Sequence, residues 1–275
     1  MWQPLLDYLW LGLVALIAGG INALAGGGTL LTFPALESVL RSQHGSLASV
    51  FANGTSTVAL VPASYGSAWG FRRETSELRS LLAWLIPPSV LGGVIGALLL
   101  VCFPKQFSAL VPWLILTATL LFTLQPYVAR RLTSLSLRSQ QLPGAQPAMP
   151  RQSLVGMIAL QFLISIYGGY FGAGIGILML AGLAMMGLTN MHQMNGLKSV
   201  LASIINSVAV VVFIATQNVV WRYALAMMAT SLVGGFLAAH YSRRIPGKYV
   251  RWFVVAVGFL LAAWYFSKTY VFTRT

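Results

Sequence analysis

Long stretches of this chain contain no charged residue and are filled almost continuously by apolar ones. The longest covers residues 152–197. It is too long for a single membrane crossing, because one membrane helix takes roughly 20 apolar residues to cross about 30 Å of hydrocarbon. The alternating pattern of a membrane β-barrel is absent, so the segments are predicted to be helices. The eight long segments are 5–25, 46–69, 81–102, 107–128, 153–172, 192–215, 219–240 and 248–268, and the two short ones are 29–40 and 175–188.

Composition supports a membrane protein and excludes an ordinary soluble one. Of the 275 residues, 57% are hydrophobic and 8% are charged, against about 25% charged in a typical soluble domain. The net charge of +13 comes from Lys and Arg in the loops, which is typical of the positive-inside rule rather than of nucleic-acid binding. The one cysteine, Cys102, allows no intrachain disulfide.

Two halves of the chain carry the same ordered set of small and polar residues. Gly19-Gly20 recurs 149 residues later at Gly168-Gly169, and Gly26 and Gly28 recur 148 residues later at Gly174 and Gly176. Asn53-Gly54 recurs 142 residues later at Asn195-Gly196. This order predicts an all-α, polytopic membrane bundle of two homologous repeats. We place the first transmembrane repeat at 1–128, an Arg/Pro-rich, exposed, cytoplasmic linker at 129–151 and the second repeat at 152–275.

The charges leave the relative orientation of the repeats open. If each long segment crosses once, the linker side collects 10 Lys and Arg against 6 opposite. If each Gly-rich piece adds a crossing or a re-entrant hairpin, the loops 72–79, 130–151 and 243–251 share one side. That side then carries 11 Lys and Arg, and the opposite side carries 5. The repeats are then inverted.

Clustered glycines predict a break in one helix of each half. The run Gly26, Gly27 and Gly28 raises the cost of a continuous helix by roughly 1 kcal/mol per residue, and Gly174 and Gly176 stand at the matching place. Irregular backbone at membrane depth is tolerated only where it is buried or lines a cavity. The N-terminus of a half-helix offers free N–H groups and a positive dipole end, which favours an anion.

Polar residues near the start of the next helix complete a predicted binding site. Lys198 interrupts an otherwise uncharged stretch, and an ionisable residue inside a membrane bundle is a functional candidate because it is costly to insert. We assign it as the counter-charge to a bound anion. The predicted substrate-binding residues are Gly26, Gly27, Gly28, Asn53, Thr55, Ser56, Gly174, Gly176, Asn195 and Lys198.

The remaining ionisable residues give weaker signals. Glu37 and His192 are candidates for proton coupling. No cluster of His, Cys, Asp or Glu has metal-ligand spacing, and no nucleophile-base pair or phosphate loop is present, so we predict no catalytic residue, metal or cofactor. The chain is therefore expected not to be an enzyme.

The first half resembles the TauE/SafE sulfite exporter family. The resemblance rests on GGINALAGGGTLLTFPAL, from Gly19 to Leu36, and on the stretch from Ala52 to Ser56. The stretch from Gly172 to Gly176, with Asn195-Gly196, is similar to the second repeat of that family. The resemblance implies a secondary transporter of sulfite, sulfoacetate or other organosulfonates, as a multi-pass protein of the bacterial inner membrane.

Alternating access between the two repeats is the expected mechanism, with a small anion and the lipid bilayer as partners and no nucleic acid. Without ATP-binding machinery, an ion gradient or the substrate gradient must drive transport. An anion channel and a carrier of another small anion, such as a carboxylate, stay open as alternatives. A homo-oligomer also stays open.

Overall fold

A computed structural model of the chain describes residues 3–24, 27–140, 151–185, 188, 190–241 and 247–271. In this part of the chain the secondary structure is helical, as predicted. The α-helices are α1 Gln3–Leu24, α2 Thr29–His44, α3 Ala48–Gly70, α4 Arg72–Ser76, α5 Arg79–Cys102, α6 Pro104–Gln140, α7 Arg151–Tyr170, α8 Ile175–Met185, α9 Met191–Ala215, α10 Trp221–Tyr241 and α11 Gly247–Phe266.

Each predicted apolar segment coincides with one of these helices. Five helices in the described ranges are long and apolar enough to cross a membrane. α3 is as long as these, with 23 residues, but polar side chains such as Asn53, Thr55 and Ser56 lower its hydropathy. These polar side chains are buried inside the bundle rather than exposed to lipid.

The predicted linker is helical in its first part, because α6 continues to Gln140. The 37 residues of α6 form about 55 Å of helix, which is longer than the roughly 30 Å of hydrocarbon in a bilayer. No proline follows Pro126 until Pro143, so nothing stops the helix earlier. Residues 141–150 of the predicted linker lie outside the described residues.

The short helix of each half folds back along the helix before it. Gly28, at the start of α2, lies against Ala18 and Asn22 near the end of α1. In the second half, Gly182 of α8 lies against Leu160 and Ile164 of α7. α1 and α2, like α7 and α8, therefore form an antiparallel hairpin whose turn is the Gly-rich break.

The two halves interlock through close glycine contacts. Gly19 of α1 lies against the backbone of Ser231 in α10, and Gly234 of α10 lies against the backbone of Leu16. In the same way, Gly96 of α5 and Gly169 of α7 face the backbone of the opposite helix. Each hairpin thus packs on the third long helix of the other half, α10 or α5, which is the reciprocal packing that inverted repeats would show. The internal repeat itself stays a prediction.

α3 and α9 cross antiparallel between the halves. Asn206 Nδ2 donates to Ser64 Oγ at 3.3 Å, and the Tyr65 and Ser207 hydroxyls lie 2.7 Å apart. Further along, Gly54 of α3 packs on Phe213 of α9. The contact joins the two halves through polar side chains near the middle of both helices.

One end of the bundle, which we call the α4 end, holds the α3–α5 connection, the ends of α6 and α10 and the starts of α7 and α11. Gln193, in the first turn of α9, donates to Glu77 Oε2 at 2.7 Å across this end. α10 runs parallel to α1, with Gly12 near Thr230 and Gly20 near Ala238, and so ends there. At the opposite end, Ser108 of α6 binds the carbonyl of Ser46. This is the arrangement with 11 Lys and Arg against 5, for which the positive-inside rule predicts that the α4 end faces the cytoplasm.

Labelling of single cysteines is expected to place Ser76→Cys and Lys248→Cys in the cytoplasm and Ser46→Cys in the periplasm, in a Cys102→Ser background. Ser76 and Ser46 are exposed at opposite ends of the bundle, and Lys248 lies in the first turn of α11. A membrane-impermeant maleimide applied to intact cells and to inverted vesicles measures the sidedness. Labelling of Ser76→Cys and Lys248→Cys from opposite sides would exclude the inverted arrangement.

Candidate functional site

The two Gly-rich breaks lie against neighbouring turns of one helix, α6. Gly27 faces the ring of Phe122, and Gly174 faces Leu121 and Ala118. In the second break, Gly172 and Gly174 have φ of 81° and 80°, a backbone conformation that glycine adopts without the strain a side chain brings. The predicted breaks are therefore present in both halves, although Gly26 lies outside the described residues.

The second break places the N-terminus of α8 inside the bundle. In the first turn of α8, Ile175 N donates to Gly172 O at 3.4 Å and Ile177 N to Gly174 O at 3.0 Å. The N–H groups of Gly174 and Gly176 have no hydrogen-bond acceptor within the described part of the chain. These unpaired donors and the helix dipole make the start of α8 favourable for negative charge.

Lys198 of α9 lies beside this N-terminus. A Cβ at Gly176 would sit 3.1 Å from Lys198 Cδ, so the lysine stem packs on the backbone of the first turn of α8. The ammonium donates to Asn195 Oδ1 at 3.1 Å, one turn earlier in α9. The structure thus brings together three of the predicted residues, Gly176, Asn195 and Lys198.

Gly176→Ala is expected to weaken anion binding about 3- to 10-fold, or ~0.7–1.4 kcal/mol, because the new methyl group displaces Lys198. Gly182→Ala is the matched control, since its Cβ would lie 3.2 Å from Leu160 Cδ2, equally close but against an apolar side chain. Substrate-dependent uptake rates and melting temperatures of both variants test this. Equal losses of affinity in the two variants would contradict a role for the Gly176–Lys198 contact.

Asn53 joins the first half to the end of α7. Its Nδ2 donates to the carbonyl of Tyr170 at 3.3 Å, and the side chain is buried. The other amide atom, Oδ1, has no hydrogen-bond partner among the described residues. The free atom of Asn53 is therefore an acceptor, whereas an anion needs a donor.

Thr55 and Ser56 have partners within the protein. Thr55 Oγ1 accepts from Val220 N at 3.0 Å, next to the start of α10. The Ser56 hydroxyl lies 2.5 Å from that of Thr32 in α2. Both side chains are fully buried, so in this conformation they hold helices together and do not line the second break.

The two candidates for proton coupling lie apart from the second break. His192 is exposed in the first turn of α9, where Asn190 Oδ1 caps the helix by accepting from His192 N at 3.0 Å. Glu37 is 4% exposed and faces α11, where it accepts a hydrogen bond from the Tyr265 hydroxyl. The other carboxylate oxygen of Glu37, Oε1, lies 3.5 Å from Arg41 Nη2. Proton coupling through either residue stays a prediction.

Sequence reasoning missed Ser64 and Asn206, which lie at the crossing of α3 and α9. Asn206 Oδ1 would be 3.9 Å from a Cβ at Gly172, which places this side chain at the second break. Ser64 and Asn206 are 142 residues apart, the same offset as Asn53 and Asn195. That register was the signal which could have found them.

The residues from Leu11 to Tyr265, positions 11–265, match the profile of the family Sulfite exporter TauE/SafE. The chain belongs to the TauE/SafE family. A "Probable membrane transporter protein" of Haemophilus influenzae is 28% identical over 258 residues, which cover 91% of each chain. A "Probable membrane transporter protein ORF9" of a Sinorhizobium species is 26% identical over 259 residues, 92% of this chain and 90% of that one. No solved structure matches.

Membership of the TauE/SafE family confirms the resemblance seen in the sequence. Together with the apolar helices, it makes the chain a multi-pass membrane protein of a transporter family. The break-forming stretches and Lys198 lie inside the matched range.

Proposed function

We propose that this chain is a secondary transporter of sulfite or organosulfonate anions and that it binds them at the start of α8. The observation that carries the proposal is the packing of the Lys198 stem on Gly176. It places a flexible cation beside two N–H groups without acceptors in the described part of the chain. The family name supports a sulfite-type anion.

The donors at this break suit the chemistry of such an anion. Sulfite and sulfonate groups carry three oxygens that accept hydrogen bonds, and charge-assisted hydrogen bonds are about twice as strong as neutral ones. Lys198 would leave Asn195 Oδ1 and turn towards the anion, while the Gly174 and Gly176 N–H groups stay fixed by the backbone. Glycine at these positions allows the anion to approach the backbone closely.

The interlocked hairpins support alternating access. Each hairpin packs on a long helix of the other half, so a rocking motion of one half carries along a hairpin of the other. The α3–α9 crossing, held by the Ser64–Asn206 and Tyr65–Ser207 pairs, lies on the axis of such a motion. An ion gradient or the substrate gradient supplies the driving force, and the bacterial inner membrane is the expected location.

Transport assays in proteoliposomes test the proposal. We expect saturable uptake of sulfite, with competition by organosulfonates and weaker competition by carboxylates of similar size, because the latter present two acceptor oxygens instead of three. Saturable uptake of carboxylates with no competition by sulfite would overturn the substrate class. A bilayer recording with single-channel conductance steps would show a channel and exclude the carrier mechanism.

A further inference from the structure

A groove between α1, α2 and α11 lies apart from the proposed anion site. It encloses about 430 Å³. Its wall is mostly apolar, with Leu13 and Ile17 from α1, Pro34 from α2 and Leu261 from α11. Trp10 and Trp264 also line it and are more than half exposed, so the groove opens towards the surrounding lipid.

Basic side chains line the groove near the end of the bundle opposite α4. Arg41 lies in the last turn of α2, and Lys268 follows directly after α11. Tyr270 shows that the segment after α11 lies at this end of the bundle, because its hydroxyl donates to the carbonyl of Ala109 near the start of α6. Both cations therefore lie close to a membrane interface, where lipid headgroups are found.

Three charged residues line the groove, and their sum is positive. The carboxylate of Glu37 accepts from the Tyr265 hydroxyl and pairs with Arg41. The Arg41 side chain is 48% exposed, so part of its guanidinium faces the groove, and Lys268 adds a second cation. α1 contributes no charged side chain to the lining. A group with one negative charge is thus complementary to this end of the groove.

The geometry points to a binding site for an anionic phospholipid, with one acyl chain along the apolar wall and the phosphate between Arg41 and Lys268. The apolar wall alone gives little selectivity, because lipid tails are as apolar as the side chains that they would replace. Selectivity must then come from the headgroup, because basic residues near the membrane surface attract anionic lipids.

Occupation of the site would act on the contact between α2 and α3. A phosphate that takes Arg41 leaves Glu37 with Tyr265 alone, and Glu37 lies on the same helix as Thr32, which binds Ser56 of α3. A bound lipid would therefore change the position of α2 relative to α3. It does so without contacting Lys198 or the second break.

Native mass spectrometry of the full chain in mixed detergent and lipid tests the site. The probe is phosphatidylglycerol, with phosphatidylethanolamine of the same acyl chains as the neutral competitor. We expect at least fivefold more bound phosphatidylglycerol in the unchanged protein, and a loss of most of this preference in Arg41→Gln/Lys268→Gln. Lys268→Gln alone leaves the Glu37–Arg41 pair intact and is expected to lose about half of the preference on a logarithmic scale.

The matched control is Lys105→Gln/Arg222→Gln, which removes two cations at the same end of the bundle but outside the groove. It is expected to keep the preference. Equal binding of the two lipids, an equal loss in the control, or a dimer that covers the groove and carries no lipid would each overturn the proposal. None of these outcomes depends on the transport assay, so the proposal and the proposed function fail independently.

Discussion

Lys198→Met is expected to lower the affinity for the transported anion about 10- to 100-fold while the protein still folds and inserts. The change removes the ammonium but keeps an unbranched stem of similar length against Gly176. A hydrogen bond to a charged group contributes about 1.5–3 kcal/mol, and each 1.4 kcal/mol is about tenfold in affinity. The concentration dependence of sulfite uptake in proteoliposomes measures the effect.

Lys105→Met is the control for this prediction, because Lys105 is an exposed lysine in the first turn of α6. Its loss removes the same charge far from the second break and should leave uptake unchanged. If Lys198→Met, at normal expression and with an unchanged melting temperature, transports sulfite with the affinity of the unchanged protein, Lys198 is not the counter-charge.

Gly169→Ala is expected to lower the free energy of unfolding by about 1–3 kcal/mol, the usual cost of overpacking a closely packed contact. A Cβ at this position would lie 2.2 Å from Gly93 O and under 3.0 Å from Gly93 C and Cα. These are backbone atoms, so α5 and α7 must move apart and lose contacts along their length. Thermal unfolding in detergent, followed by tryptophan fluorescence, measures the loss.

Gly156→Ala on the same helix separates packing from helix propensity. No atom lies within 4 Å of a Cβ at Gly156, and alanine favours a helix by about 1 kcal/mol over glycine. This variant should be neutral or slightly more stable than the unchanged protein. A comparable destabilisation by both substitutions would show that close packing of α5 on α7 is not the reason for the glycine.

The helices could be predicted from the sequence because lipid leaves the backbone little choice. A segment without charges must satisfy its own N–H and C=O groups, so the predicted segment 46–69 became Ala48–Gly70 and 175–188 became a helix from Ile175 to Met185. Local composition also predicted the two breaks, since consecutive glycines weaken a helix wherever they occur. The end of α6 was harder, because polar residues beyond the membrane can continue a helix.

The composition of the site was less predictable because a polar residue in a membrane helix has two uses. Thr55 and Ser56 stand next to Asn53 in the sequence, but their side chains bind α10 and α2. Asn206 lies in an apolar run, and only the packing of α9 against the end of α7 brings it to Gly172. Which helices cross, and at what height, depends on long-range packing such as that of Gly96 on Ile166. Periodicity along one segment does not contain this information.

The side-chain oxygen of Asn53, which has no hydrogen-bond partner among the described residues, disfavours the conformation described here. A buried acceptor without a partner costs about 1–3 kcal/mol compared with the same group in water. Any conformation that parts α3 from α7 and admits water to this oxygen regains that free energy, a factor of about 5 to 150 in population. In the alternating-access cycle proposed above, this cost would keep the chain from being trapped in the conformation described here.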